Sequence, residues 1–168
     1  AQTNTVTRSK YMKSIIIVSD SHRNRAALDR LDGLFAECDY IVHLGDLSTD
    51  GGYVRGKYPQ KTIVINGNCD LDKMGDDERV LEAEGVKIFM CHGHNYSVKQ
   101  TLARLAAAAK ERGCTVALYG HTHEARVDEL DGVKLINPGN LTRYGMNSYC
   151  YLALHNGKAV EKIVMLET

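Results

Sequence analysis

The chain has 168 residues, 43% hydrophobic and 25% charged, enough apolar side chain for one globular domain with a full core. Lysine plus arginine balance aspartate plus glutamate at 21 each, so no net charge draws the protein to nucleic acid or an anionic membrane. No apolar run approaches the roughly 20 residues that cross a bilayer, and residues 1–13 are polar where a secretory signal would be apolar.

Five cysteines, Cys38, Cys69, Cys91, Cys114 and Cys150, are scattered without a C-x-x-C pair. An odd, unpaired set points to reduced thiols in a cytoplasmic setting. Residues 1–11 read as a disordered leader or an expression remnant, and 12–168 as a single domain.

The first element is Ile15-Ile16-Ile17-Val18, a β-branched run that reads as a strand buried on both faces. It ends in Asp20-Ser21-His22, where residues two apart share a side and can reach one metal ion. Ala27, Leu28, Leu31, Leu34, Phe35 and Cys38 then recur at helical spacing behind Asn24, a good N-cap. Residues 40–44 read as a second buried strand, ending in Gly45-Asp46. Residues 48–57, rich in glycine and polar side chains, read as a loop. A third strand over 62–65 ends in Asn66-Gly67-Asn68-Cys69-Asp70.

Residues 79–84 and 86–90, on either side of Gly85, predict a hairpin whose second arm finishes in Cys91-His92-Gly93-His94. Residues 97–113 predict the longest helix: Ser97 and Gln100 form a capping box, Val98, Leu102, Leu105 and Ala109 form a stripe, and Gly113 takes the C′ position. A short strand over 115–119 leads to Gly120-His121-Thr122-His123. The remainder alternates strands at 126–130, 133–136, 148–154 and 159–166 with turns at Asp131-Gly132, Asn137-Pro138-Gly139-Asn140 and Asn156-Gly157.

Five strands therefore end in polar clusters, all but the first flanked by glycine, that carry Asp20 and His22, Asp46, Asn68, His92, and His121 and His123. In open α/β sheets, ligands bind beyond the carboxyl ends of the strands. Imidazoles, carboxylates and an amide without thiolates suit Mn, Fe, Zn, Co or Ni better than Ca. They outnumber the ligands of one tetrahedral ion, so a pair of divalent ions is the economical solution. With only Asp20 and Asp46 to offset four positive charges, such a site is cationic and suits a phosphate oxyanion. His43 and His155 read as ordinary structural residues.

The ordered set Asp20-x-His22, Gly45-Asp46, Gly67-Asn68, His92 and Gly120-His121-Thr122-His123 resembles the calcineurin-like metallophosphoesterase superfamily. The short chain, Asn68-Cys69-Asp70, His92-Gly93-His94 and Asn137-Pro138-Gly139 look most like its small YfcE-like branch. The resemblance implies an α/β fold, a four-layer α/β/β/α sandwich of two mixed sheets. It also implies a phosphodiesterase with two divalent transition-metal ions, Mn before Fe, Zn, Ni or Co, and a metal-bridging hydroxide. Carried onto this sequence, Asp20, His22 and His123 hold one ion, Asn68, His92 and His121 the other, and Asp46 bridges them.

Cys69 stands where many superfamily members have a phosphate-contacting histidine, so leaving-group help falls to His94, a metal-bound water or the leaving group itself. Asn68 also faces substrate in this reading, and Asn140 and Arg143 are candidates to touch its phosphate. The partner implied is a small phosphoester, with no membrane and no specific nucleic acid, and a homo-oligomer stays open. The alternatives are a phosphomonoesterase and a non-catalytic interaction scaffold, as the resembling retromer subunit is.

Overall fold

The computed structural model describes residues 12–166; the leader expected over 1–11 lies outside them. Two five-stranded mixed sheets face each other. The first has the order β10-β9-β1-β2-β3, with β1 (Met12–Val18), β2 (Tyr40–His43), β3 (Thr62–Val64), β9 (Asn147–His155) and β10 (Lys158–Leu166). The second has the order β4-β5-β6-β8-β7, with β4 (Glu78–Ala83), β5 (Val86–Cys91), β6 (Val116–Leu118), β7 (Arg126–Leu130) and β8 (Val133–Asn137). β1, β2 and β3 run parallel, as do β5, β6 and β8, so both sheets send carboxyl ends to one edge.

The alternation of the first strand builds three layers of contact. Ile15 and Ile17 point between the sheets and pack with Val42, Leu44, Ile88, Met90 and Leu118. Ile16 and Val18 point outward and are covered by Leu28 of α1 (Arg25–Arg30), Phe35 of α2 (Asp32–Glu37), Leu31 between these two helices, and Val54 of α3 (Ser48–Lys57). On the far side, Leu105, Ala106 and Ala109 of α4 (Ala103–Glu111) close over Phe89, Ala117 and Leu135. The result is the α/β/β/α sandwich expected.

Three local expectations need correction. Residues 48–57 form α3, not a loop. Their glycines depress helix propensity, but Gly51 lets the helix lie against β3, since a Cβ there would meet Val64 Cγ1 at 2.7 Å. The helix predicted over 97–113 begins only at Ala103, because Ser97 is left-handed at φ 55° and makes no cap. Packing wins there: a 3₁₀ turn over His94–Tyr96 sets the Tyr96 ring edge-on to Phe89 at 6.0 Å, and its hydroxyl donates to Glu78. The helix behind Asn24 is broken at Leu31 into α1 and α2, although Asn24 caps as expected through the Ala27 N–H.

Candidate metal centre

Each sheet delivers polar groups where a parallel strand ends. Asp20, His22, Asp46, His121 and His123 all turn away from their strands at positive φ, between 43° and 72°. Such conformations cost about 1–3 kcal/mol each and persist where the surroundings over-determine them. Here backbone bonds lock the loops together: Asp20 N–H donates to the Gly45 carbonyl (2.9 Å), His22 N–H to that of Asp46 (3.0 Å) and Gly120 N–H to that of His92 (2.8 Å).

The carboxylates each use one oxygen for the fold and present the other. Asp20 Oδ2 accepts from Ser19 Oγ (2.6 Å) and His121 N–H (3.0 Å). Its Oδ1 lies 3.3 Å from His123 Nε2 and 3.9 Å from both His22 Nε2 and His92 Nε2. Asp46 Oδ1 accepts the Cys69 N–H (3.0 Å), while Oδ2 lies 3.2 Å from His92 Nε2. His92 donates Nδ1–H to the Leu44 carbonyl (2.7 Å), which fixes the tautomer and leaves Nε2 with a lone pair.

Two groups result, Asp20 with His22 and His123, and Asp46 with His92 and His121, and the ligand atoms within each lie within 4.8 Å of one another. Asp20 Oδ1, His22 Nε2 and His92 Nε2 are buried without a hydrogen-bond partner among the described residues. Buried acceptors aimed at one another are costly without a cation or proton between them. The donor set therefore fits divalent metal.

Charge coupling agrees. Burial alone would raise the Asp46 pKa, but the adjacent His92 imidazole outweighs it and holds the carboxyl far below its usual range. Burial would likewise depress His92, and Asp46 and Asp20 reverse it; the neighbouring Asp20 carboxylate raises His123. Metal must displace those protons. Affinity should therefore fall as pH drops through a range lying above that of an ordinary histidine. Calorimetric metal titrations in buffers of different ionisation enthalpy should show proton release, and affinity flat from about pH 8 to pH 6 would contradict this coupling.

The remaining candidates separate. Asn68 is exposed on the loop after β3, its amide 3.8 Å from Cys69 Sγ. Cys69 also reaches solvent, and its thiol is held above its ordinary pKa by partial burial and the Asp46 charge, so it stays protonated. His94 sits with its ring 5.5 Å from His92 and 6.2 Å from His121. Asn140 is committed inward: it donates to the His123 carbonyl (2.9 Å) and accepts from Thr142, so its amide holds the His123 loop. Arg143 is exposed beyond it.

Two supports escape a reading of the sequence. Buried Asp70 accepts N–H bonds from Gly67 (2.6 Å), Ser48 (2.7 Å) and Asp46 (3.1 Å), clamping two ligand loops together. His43 accepts from Gly45 N–H (3.1 Å) on Nδ1, so its Nε2–H donates to Ser21 Oγ (2.8 Å), which donates to buried Asp50 (2.6 Å). His43 is indeed structural, but it ties the Asp20 and Asp46 loops together. The available signal is an aspartate shortly after a ligand motif, Asp50 behind Asp46 and Asp70 behind Asn68.

Residues 12–158 match the family model for the calcineurin-like phosphoesterase superfamily domain. A probable metallophosphoesterase of Bacillus subtilis, YsnB, is 34% identical over 150 residues, spanning 87% of each chain. Phosphodiesterase MJ0936 of Methanocaldococcus jannaschii is 41% identical over 69 residues, 41% of this chain and 38% of that one. Among solved structures, Vps29 of Entamoeba histolytica complexed with Zn²⁺ shares the fold, with a TM-score of 0.69 and 18% identity over 90% of this chain and 98% of that one.

Proposed function

Since this chain belongs to the calcineurin-like phosphoesterase superfamily, we propose that it is a metal-dependent phosphodiesterase acting on a small phosphoester. The observation that carries the reading is the convergence of unpartnered buried ligand atoms from both sheets on one edge. Asp20, His22 and His123 would hold one divalent ion and Asn68, His92 and His121 a second, with Asp46 shared. Nitrogen and oxygen donors without thiolate suit Mn²⁺ first, then Fe, Zn, Ni or Co. When bound, the ions supply Lewis-acid charge and acidify water near neutral pH.

The chain supplies placement. Only two carboxylates face the site, and an imidazole that holds a metal ion is uncharged, so the loaded centre would be receptive to a phosphate oxyanion. His92 is oriented by the Leu44 carbonyl, His121 and Asp20 by each other, and Asp46 by Asp70 and Cys69. The preference for diesters rests on the resemblance to the small branch and on the phosphodiesterase relative.

Neither Cys69, whose pKa is raised, nor His94 is a strong acid. Burial and then the nearby His92 charge lower the His94 pKa, so at neutral pH its ring is neutral. We assign His94 to hydrogen bonding with a phosphoryl oxygen. His94→Ala should then slow good and poor leaving groups alike, about tenfold for one lost hydrogen bond of ~1.4 kcal/mol. A loss that grows with leaving-group pKa would make it the general acid instead.

The reading is tested by steady-state hydrolysis of an activated aryl phosphodiester beside its monoester, with Mn²⁺ supplied. A higher kcat/KM on the diester supports it, and preference for the monoester overturns the diester assignment. A scaffold of this fold predicts no turnover on either.

A further inference from the structure

The two ligand groups are not equally protected. Asp46 and His92 are buried in one, whereas the side chains of His22 and His123 in the other are 34% and 42% exposed. His22 is also awkwardly placed along the chain. It and Arg23 are consecutive left-handed residues, at φ 43° and 70°, and neither is glycine. Two such residues in a row are strained and persist only where their surroundings hold them.

Asp50 is what holds them. Its carboxylate is fully buried in the first turn of α3, and one oxygen, Oδ2, accepts on both sides of His22: from Ser21 Oγ (2.6 Å) and from Arg23 N–H (2.7 Å). The direction of these bonds is fixed. Gly45 N–H occupies His43 Nδ1, so His43 donates Nε2–H to Ser21 Oγ, and the Ser21 hydrogen is left for Asp50. The other oxygen, Oδ1, meets only the half-exposed Arg25, with Nε at 3.5 Å.

The second group has its own supports. Asp46 is held through Asp70 and the Cys69 N–H, and His92 through the Leu44 carbonyl, none of them bonded to Asp50 among the described residues. The side-chain link from Asp50 toward Asp46 runs through His43, whose bonds to Gly45 and Ser21 do not need Asp50.

We propose that Asp50 is a positioning residue for His22, and that it governs metal uptake by the Asp20–His22–His123 group separately from the Asp46–His92–His121 group. Such control needs the metal centre proposed above, but not hydrolysis at it.

Zinc is titrated into metal-free protein while bound metal is counted and the imidazole ¹⁵N signals of His22, His123, His92 and His121 are followed. Asp50→Ala removes the acceptor on both sides of His22. Zinc affinity at the Asp20–His22–His123 group should therefore fall about 10–100-fold, the usual cost of losing a support behind a ligand. His22 and His123 should then respond only at correspondingly higher zinc, with His92 and His121 as in wild type. Asp50→Asn is the rescue. Its amide oxygen can accept from both Ser21 and Arg23, as Oδ2 does, with the NH₂ toward Arg25, which can swing into solvent, so both groups should fill normally. Should Asp50→Ala fail to fold, Ser21→Ala decides: it keeps the Arg23 bond, and the loss should again fall on the Asp20–His22–His123 group alone.

Equal weakening of both groups, or of neither, would make Asp50 merely structural and overturn the proposal. So would Asp50→Asn as impaired as Asp50→Ala, because the hydrogen bonds would then not be what counts. Wild type that takes up no zinc at either group removes the metal centre and the proposal together. Both groups filled in wild type, the selective loss in Asp50→Ala, and no hydrolysis of either aryl ester would remove only the hydrolytic reading and leave the role of Asp50 standing.

Discussion

Asp70→Asn should destabilise the protein by about 3 kcal/mol and cut metal-dependent turnover at least 100-fold. The carboxylate is buried and accepts three N–H donors, two on Oδ2 from Asp46 and Gly67 and one on Oδ1 from Ser48. Asparagine has one acceptor oxygen. In its better orientation the oxygen serves Asp46 and Gly67, and the new NH₂ faces the Ser48 N–H, donor against donor. Both the lost bond and the stranded donor carry a cost, and charge-assisted bonds are the expensive ones to lose. In a domain this size the thermal midpoint should fall by roughly 6–12 °C. Activity suffers separately, because Asp70 holds the backbone of Asp46 in register with the loop that carries Asn68. A variant as stable and as active as wild type would show that the clamp is incidental.

Gly67→Ala should act on the site with almost no route through the core. A Cβ at that position would stand 2.1 Å from Asp46 Oδ1 and 2.8 Å from its Cγ, so the carboxylate has to leave its place. A displacement of about 1 Å at a reacting centre costs on the order of 100-fold, and loss of a shared metal ligand costs more. The expected result is a folded protein with kcat/KM down 100-fold or more and weakened metal uptake. Gly33→Ala, in α2, is the control: a Cβ there would meet nothing within 4 Å, so it should add about 0.5–1 kcal/mol of stability and leave activity alone. Wild-type kinetics in Gly67→Ala would mean that Asp46 is not where the chemistry needs it.

The site was more legible in the sequence than the helices were. Asp20, His22, Asp46, His92, His121 and His123 stand out because they recur just past the ends of buried strands, where ligands bind in α/β sheets, and that signal is local. The failures have non-local causes. The helix α3 depends on Gly51 meeting Val64 of β3, a contact that propensity cannot reveal. Ser97 has the sequence of a helix cap but is pulled out of it by the packing of Tyr96 on Phe89. The roles of buried Asp70 and Asp50 depend on N–H groups and a hydroxyl that only the fold brings to them. The tie between Asn140 and the His123 carbonyl, 17 residues away along the chain, is non-local in the same way.

The most direct test is a single titration. Protein stripped of metal is given Mn²⁺ in fractions of an equivalent, with bound metal and aryl phosphodiester hydrolysis followed together, in wild type and Asp46→Asn. Two ions should bind per chain, with turnover appearing as the second site fills and lost at least 1,000-fold in the variant, on the order expected when a shared metal ligand goes. Hydrolysis by the stripped protein, or undiminished turnover in Asp46→Asn, would contradict a metal centre built on these strand ends.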